Sequence, residues 1–215
     1  MDHYRIAIHG FGMLPPLLAL HLLVADADAN VLLLCGDAQV GGDQVEPVIA
    51  GKLQPAARDL AEMCCVSRWE GYYIARDNAV ERFDEPVWLL DPVQVWLELA
   101  EHSARCTAIS GCGQPGASGA QLTWAGGGTA LADRFVDLSV LTATRAECEI
   151  LGIDQVRRLS LPILADYDTA APGWEANQLL PLGDDRVLVR KLPLRTGLVA
   201  ANSTFESLLN ALVAD

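Results

Sequence analysis

The segment Gly10-Phe11-Gly12-Met13-Leu14-Pro15 has the residue types and spacing that come nearest to a chemical purpose. It follows a strand read from Tyr4 to His9 and precedes an apolar helix read from Pro16 to Ala27, with a second strand at Val31–Leu34. Strand, glycine turn, helix and strand in this order form the opening of a dinucleotide site. Its first glycine permits the tight turn, its second admits the pyrophosphate, and its third lets the helix pack on the strand. Gly10 and Gly12 meet the first two needs, while Pro15 holds the third place and Pro16 follows it. Proline is compatible with a helix's first turn, so the helix can form. However, proline removes amide donors where a phosphate would sit. The second strand should end on Glu or Asp to hold ribose hydroxyls. Here it ends on Cys35, with Asp37 two residues late and expected to point elsewhere unless the loop is rearranged. If a nucleotide binds, Gly10, Gly12 and Asp37 are the residues to hold it. The leading expectation is that the unit is scaffold and that no cofactor is bound, with FAD as the candidate otherwise.

Other groups with chemical potential are sparser. Asp166 and Asp168 flank Tyr167, and Glu175 follows Trp174; these are weak catalytic candidates as general acids or bases, and solvated loop carboxylates on the plainer reading. No G-x-S-x-G elbow is present. The six cysteines include no C-x-x-C pair, and none of the four histidines lies at zinc-ligand spacing from a cysteine pair, so no metal site is expected. The thiols are read as reduced and packed like small apolar side chains. Gly126-Gly127-Gly128 lacks a following helix and a Lys-Ser/Thr, so it is a hairpin turn rather than a phosphate loop.

The elements that must position these groups read as an α/β chain. Its 215 residues are half apolar, enough for a sizeable core. A net charge of −13 disfavours nucleic acid and anionic membranes as partners. The longest apolar run is too short to span a bilayer, and the N-terminus lacks the pattern of a signal peptide, so a cytoplasmic location is expected. Residues 43–47 read as a loop. A helix is read over Gln54–Cys65 with Leu60, Met63 and Cys64 inward. Trp69, Tyr72 and Tyr73 read as an aromatic cluster on a turn and strand, packing the core or walling an apolar ligand. Asp91-Pro92 caps and opens a helix whose buried stripe is read as Val93, Trp96, Leu97 and Ala100. A strand at Cys106–Ser110 and a loop at Gly111–Gly119 follow. Next come a hairpin of Gln121–Ala125 with Thr129–Leu131 and a separate strand at Phe135–Leu141. Strands at Arg158–Ala165, Leu179–Leu182 and Arg186–Leu192 precede a last helix, with Ser203 and Glu206 as its capping box and Leu208, Leu209, Leu212 and Val213 as its apolar face.

In this order the segments resemble the bacterial lycopene β-cyclase family of FAD-dependent flavoproteins. The resemblance is carried by Gly10-x-Gly12 with Leu17–Leu22, by Val31–Leu34, by Gly41-Gly42 and by Trp69-x-Gly71-Tyr72. Pro162-Ile163-Leu164-x-Asp166 and Leu180-Pro181-Leu182 with Arg186–Val189 complete it. It implies an FAD-binding fold and a polyene pathway. The departures are as specific. Cys35 replaces the ribose-holding acid, and Asp43-Gln44-Val45-Glu46 replaces an Asn-His-Thr-Trp-like segment. Ser139-Val140-Leu141-Thr142 replaces Asp-Ala-Arg-Gly, and Arg190-Lys191 replaces an acidic pair that bears on carbocation chemistry. Arginine cannot act as that acid, and two cations would repel a developing carbocation. The chain also stops at Asp215, where the family continues, so a C-terminally truncated member is expected.

The expected architecture is therefore a single degenerate Rossmann-like FAD/NAD(P)-binding domain. Residues 1–145 form a nucleotide-binding-like core with a parallel sheet, and residues 146–215 form a mixed or antiparallel β-sheet lobe with the last helix. The expected function is a non-catalytic, lycopene cyclase-like protein that binds a protein partner, a second copy of itself, or an apolar polyene or acyl ligand. A flavin- or NAD(P)-dependent enzyme and a cofactor-free enzyme of the same pathway are the alternatives.

Overall fold

The computed structural model describes residues 1–76, 79–139, 147–152, 160–167, 175–182, 186–193 and 205–214. The chain opens with β1 (His3–Gly10), α1 (Leu14–Ala25) and β2 (Val31–Cys35). β3 (Glu46–Ile49), α2 (Pro55–Met63), β4 (Cys65–Trp69), β5 (Tyr72–Arg76), β6 (Ala79–Phe83) and β7 (Val87–Leu90) follow. Then come α3 (Pro92–Glu101), β8 (Cys106–Ile109), β9 (Gly116–Ser118), β10 (Gln121–Trp124) and β11 (Gly128–Asp137). The last elements are β12 (Glu147–Gly152), β13 (Ile163–Tyr167), β14 (Glu175–Pro181), β15 (Arg186–Pro193) and α4 (Phe205–Leu212).

The first sheet has the order β8-β2-β1-β11-β10-β9. Its first four strands are parallel, and β10 and β9 turn back antiparallel. All five residues of β2 are buried, because the strand lies inside a parallel sheet covered on both faces. Alternation then sorts the strands. Ile8, Val31, Leu33 and Cys35 pack among residues of the helices, whereas Ala7, Leu32 and Leu34 join Leu122, Ala130 and Ala132 on the other side. α1 packs on β1, β2 and the other three helices, so it is apolar nearly all round and Leu17, Leu20 and Leu23 are sealed. Its C-terminal carbonyls are satisfied from a distance, as the Arg105 guanidinium donates to the carbonyls of Leu23, Asp26 and Ala27 at 2.8–3.1 Å.

The second sheet, β12-β15-β14-β13-β5-β6, is mixed, with β13 parallel to β5 and its other pairings antiparallel. A small antiparallel sheet, β3-β7-β4, carries Trp88, whose ring is met by the guanidiniums of Arg58 and Arg68 at 5.4 and 4.9 Å. The α/β architecture with a parallel sheet and a mixed one is thus the observed fold.

Several local expectations change. α1 starts at Leu14 with Pro15 and Pro16 inside its first turn. Residues 43–47 are not all loop, since Glu46 begins β3, and the Gly111–Gly119 segment contains β9. The strand after the glycine turn does not end near Leu131. β11 runs unbroken to Asp137, pairing with β10 along its first half and with β1 from Leu131 onward. On α2 the buried residues are Ala57, Leu60 and Ala61, and Met63 is exposed. α3 is capped by Asp91, whose carboxylate accepts from the Val93 amide at 2.8 Å, but its stripe is the opposite one. Pro92, Val95 and Leu99 are buried, while Val93, Trp96, Leu97 and Ala100 face solvent. Tyr72 is core, stacked on Phe83 at 5.0 Å. Ser203, Arg158 and the Asp184-Asp185 turn lie outside the described residues.

Candidate functional site

In open parallel sheets, ligands meet the loops at the carboxyl ends of the strands. Here those loops are the turn after β1, Gly36–Gly42 after β2, Ser110–Gly113 after β8, and Leu138-Ser139 after β11, and they frame the crevice. Gly10 is required for space: a Cβ there would stand 2.8 Å from Pro15 Cγ and 3.1 Å from Leu138 Cβ. Its carbonyl accepts from the Gly36 amide at 2.9 Å, which carries the β1–β2 pairing into the turn. Gly12 has φ +69°, and its amide donates to Oδ2 of Asp37 at 2.6 Å. Asp37 therefore points back into the glycine turn, not away from it. Its backbone carbonyl accepts from the Gly111 amide at 2.6 Å, so the residue is held from two sides. Gly41 and Gly42 have φ of +85° and +76°; a Cβ on Gly41 would meet Pro92 at 2.9 Å, and one on Gly42 would meet Asp37 Oδ2 at 3.5 Å.

Beside this contact the Phe11 ring lies on Gly36. A Cβ on Gly36 would fall 2.2 Å from Phe11 Cε1. Cys35, at the position of the ribose acid, is buried among the helix-side core residues, and burial pushes its thiol up to about 12. Its carbonyl accepts from both the amide and the thiol of Cys112. Sequence reasoning missed a third group. His9 is fully buried and edge-on to Phe11, with Nε2 3.0 Å from the Gly113 carbonyl and Nδ1 3.1 Å from Asp137 Oδ1. The β1–β11 register places His9 opposite Asp137, a pairing that no local pattern announces. Burial pushes the Asp137 carboxyl up. Hydrogen bonds from Ser139, His9 and Gln114 outweigh that and hold it well below the usual carboxylate range.

A second polar cluster joins three distant segments. Arg190 on β15 is buried, at 3% side-chain exposure, and is ion-paired with Glu46 on β3, at 17%. It also donates to Gln178 Oε1 at 2.7 Å, while its Nε has no partner. Glu206 accepts from the Ile49 amide at 2.9 Å, while Ser203, the other half of the capping box read in the sequence, lies outside the described residues. Burial pushes the Glu46 carboxyl up, Arg190 pulls it down, and Glu206 adds to the rise. The two departures from the cyclase pattern, Glu46 and Arg190, are therefore one ion pair spanning 144 residues, and Arg190 is not a free cation.

Asp166 and Glu175 lie on β13 and β14 of the mixed sheet, opposite Asn177 and Pro193, on strands that do not form the crevice. Asp168 lies outside the described residues. Among the described residues no three His, Cys, Asp or Glu side chains are grouped to hold a metal, and no helix is long and apolar enough to cross a membrane.

Solved structures share this fold. pqsL from Pseudomonas aeruginosa, a probable FAD-dependent monooxygenase, superposes with a TM-score of 0.59 at 13% identity, over 89% of this chain and 61% of its own. The myxobacterial chondrochloren halogenase CndH, an FAD-dependent halogenase, gives 0.59 at 14% identity, over 100% and 58%. The tetrameric form of 2-methyl-3-hydroxypyridine-5-carboxylic acid oxygenase gives 0.56 at 12% identity, over 100% and 67%. The fold is that of FAD-dependent flavoproteins. The chain spans about three fifths to two thirds of the length of these structures. No protein-family model matches the chain, and no curated protein matches it in sequence.

Proposed function

We propose that this chain is a binding protein on a flavoprotein scaffold, one that does not hold FAD in the manner of the fold. One observation carries this: the Gly12 amide, which a pyrophosphate would need, already donates to the Asp37 carboxylate. A phosphate brought to the same place would meet that negative charge. The other requirements fail in the same direction. Pro15 and Pro16 contribute no amides, Cys35 offers a buried thiol instead of a carboxylate, and Phe11 covers Gly36. The residues present do not fit the cofactor.

The ligand of such a protein is a protein partner, a second copy, or an apolar polyene or acyl molecule. The exposed apolar stripe of α3 supports a protein partner, since a row of large apolar side chains rimmed by polar ones suits an interface. The polyene and the lycopene cyclase kinship rest on the sequence segments and on nothing in the crevice. An FAD-dependent oxidoreductase or cyclase is the second reading, favoured by the extent of the superposition on FAD-dependent enzymes. Freshly purified protein examined by native mass spectrometry and flavin absorbance separates the two. Colourless protein that takes up no FAD on titration, with subunit number read from the same spectrum, is the expected result. Near-stoichiometric bound FAD overturns the proposal.

A further inference from the structure

We infer that Asp37 is a tethered internal ligand: its carboxylate, on the Gly12 amide and beneath Gly42, fills the anion position of the glycine turn. Without that carboxylate the turn takes an inorganic or nucleoside diphosphate. This inference rests on the proposed function and adds to it the identity of the group that closes the crevice.

The geometry supports it in three ways. First, Gly12 keeps the left-handed φ of +69° that turns its amide off the loop, a conformation costly for any residue with a Cβ. An amide so placed, with neither phosphate nor carboxylate, would be an unpaired donor with its own penalty. The contact of 2.6 Å is short, as expected for a donor facing an ionised acceptor. Second, Asp37 is not neutralised by a cation: among the ion pairs of the described residues none includes it. Its counter-charge is the backbone dipole of the turn, the same element that faces a bound phosphate in the intact motif. Third, the carboxylate is held by its own backbone. The Asp37 carbonyl is fixed to Gly111, and Gly42 lies against the side chain. A covalently positioned anion is present at a fixed effective concentration that any free phosphate must outcompete. The turn is thus complete and self-occupied.

The test is a titration followed at one atom. Full-length ¹⁵N-labelled protein, as wild type, Asp37→Ala and Asp37→Asn, is titrated with inorganic pyrophosphate and separately with ADP, while the Gly12 amide resonance is monitored. The wild-type resonance should stay still. In Asp37→Ala it should shift and saturate, with an apparent affinity at least about tenfold above wild type, the worth of one charge-assisted hydrogen bond. Asp37→Asn keeps the shape of the loop and loses the charge, so it should respond in the same direction even if the alanine variant does not fold. A still Gly12 resonance in both variants, or an equal response in wild type, overturns the inference. FAD added to wild type forms a separate arm. Binding there defeats the proposed function, whereas unresponsive variants beside an FAD-free wild type defeat the internal ligand alone.

Discussion

Removing Glu46 leaves the Arg190 guanidinium in the interior with Gln178 as its remaining partner among the described residues and with Nε already unpaired. Breaking one half of a buried ion pair costs about 3–5 kcal/mol, mostly for the stranded charge. Glu46 retains 17% exposure, which places the loss at the lower end, about 3 kcal/mol. For a chain of this size each kcal/mol moves Tm by about 2–4 °C, so Glu46→Ala should melt about 6–12 °C below wild type. Arg190→Ala should lose a comparable amount, because it leaves Glu46 desolvated and under the field of Glu206. The double replacement Glu46→Leu with Arg190→Met removes both charges and fills the space, so it should return to about wild-type stability. Calorimetry and urea unfolding of wild type, Glu46→Leu, Arg190→Met and their double variant close the cycle and give the coupling directly, expected at about 2 kcal/mol or more. Single variants within about 0.5 kcal/mol of wild type, or a double variant that adds the two losses, would refute the argument that the pair is buried and shared.

Gly36→Ala places a methyl inside the Phe11 ring and should cost about 1–3 kcal/mol; Phe11→Ala in the same chain should restore most of it, as urea midpoints will show. Trp96→Ser, at 44% exposure, should change stability by no more than about 0.5 kcal/mol, whereas Leu99→Ala on the opposite face should cost about 2–5 kcal/mol; calorimetry on the pair fixes which side of α3 is inward. Asp137 is held below its ordinary value in the fold, so its contribution is present above about pH 4 and fades as the pH drops through the folded value. The stability gap between wild type and Asp137→Asn should accordingly narrow on acidification below about pH 4, and a widening gap in pH-dependent urea unfolding contradicts the assignment.

How far the sequence reveals this fold depends on the range of each signal. Gly10-x-Gly12, the apolar run after it and the short strand Val31–Leu34 lie within one window and together declare the βαβ unit. The Asp91 cap is equally local. α3 shows where that legibility stops. Its sequence carries two apolar stripes, Pro92-Val95-Leu99 and Val93-Trp96-Leu97-Ala100, and periodicity alone cannot choose between them. The choice is made by the buried layer to which Val95 and Leu99 belong, beside Leu17 and Leu20. The Asp37 contact needs the path of a loop, and the positive φ at Gly41 and Gly42 that sets it leaves no mark beyond two glycines. Glu46 and Arg190 each look like a surface charge, and only the meeting of β3 with β15 makes them partners. Asp133 and Arg134 invite a break in β11, yet the strand passes straight through them because its pairing with β1 continues.

That uninterrupted strand governs the order in which the chain can assemble. β1 has β2 on one side and β11 on the other, with His3 facing Leu131 and His9 facing Asp137. On the ribosome, β1, α1 and β2 emerge early, but the neighbour that covers the open side of β1 is more than a hundred residues away. During that interval a strand bearing Ile6, Ala7 and Ile8 presents bare backbone donors and acceptors, the arrangement that recruits foreign strands. Closing so distant a pair is slow, so synthesis rate and holdase chaperones should govern the yield of this protein more than the stability of the finished sheet.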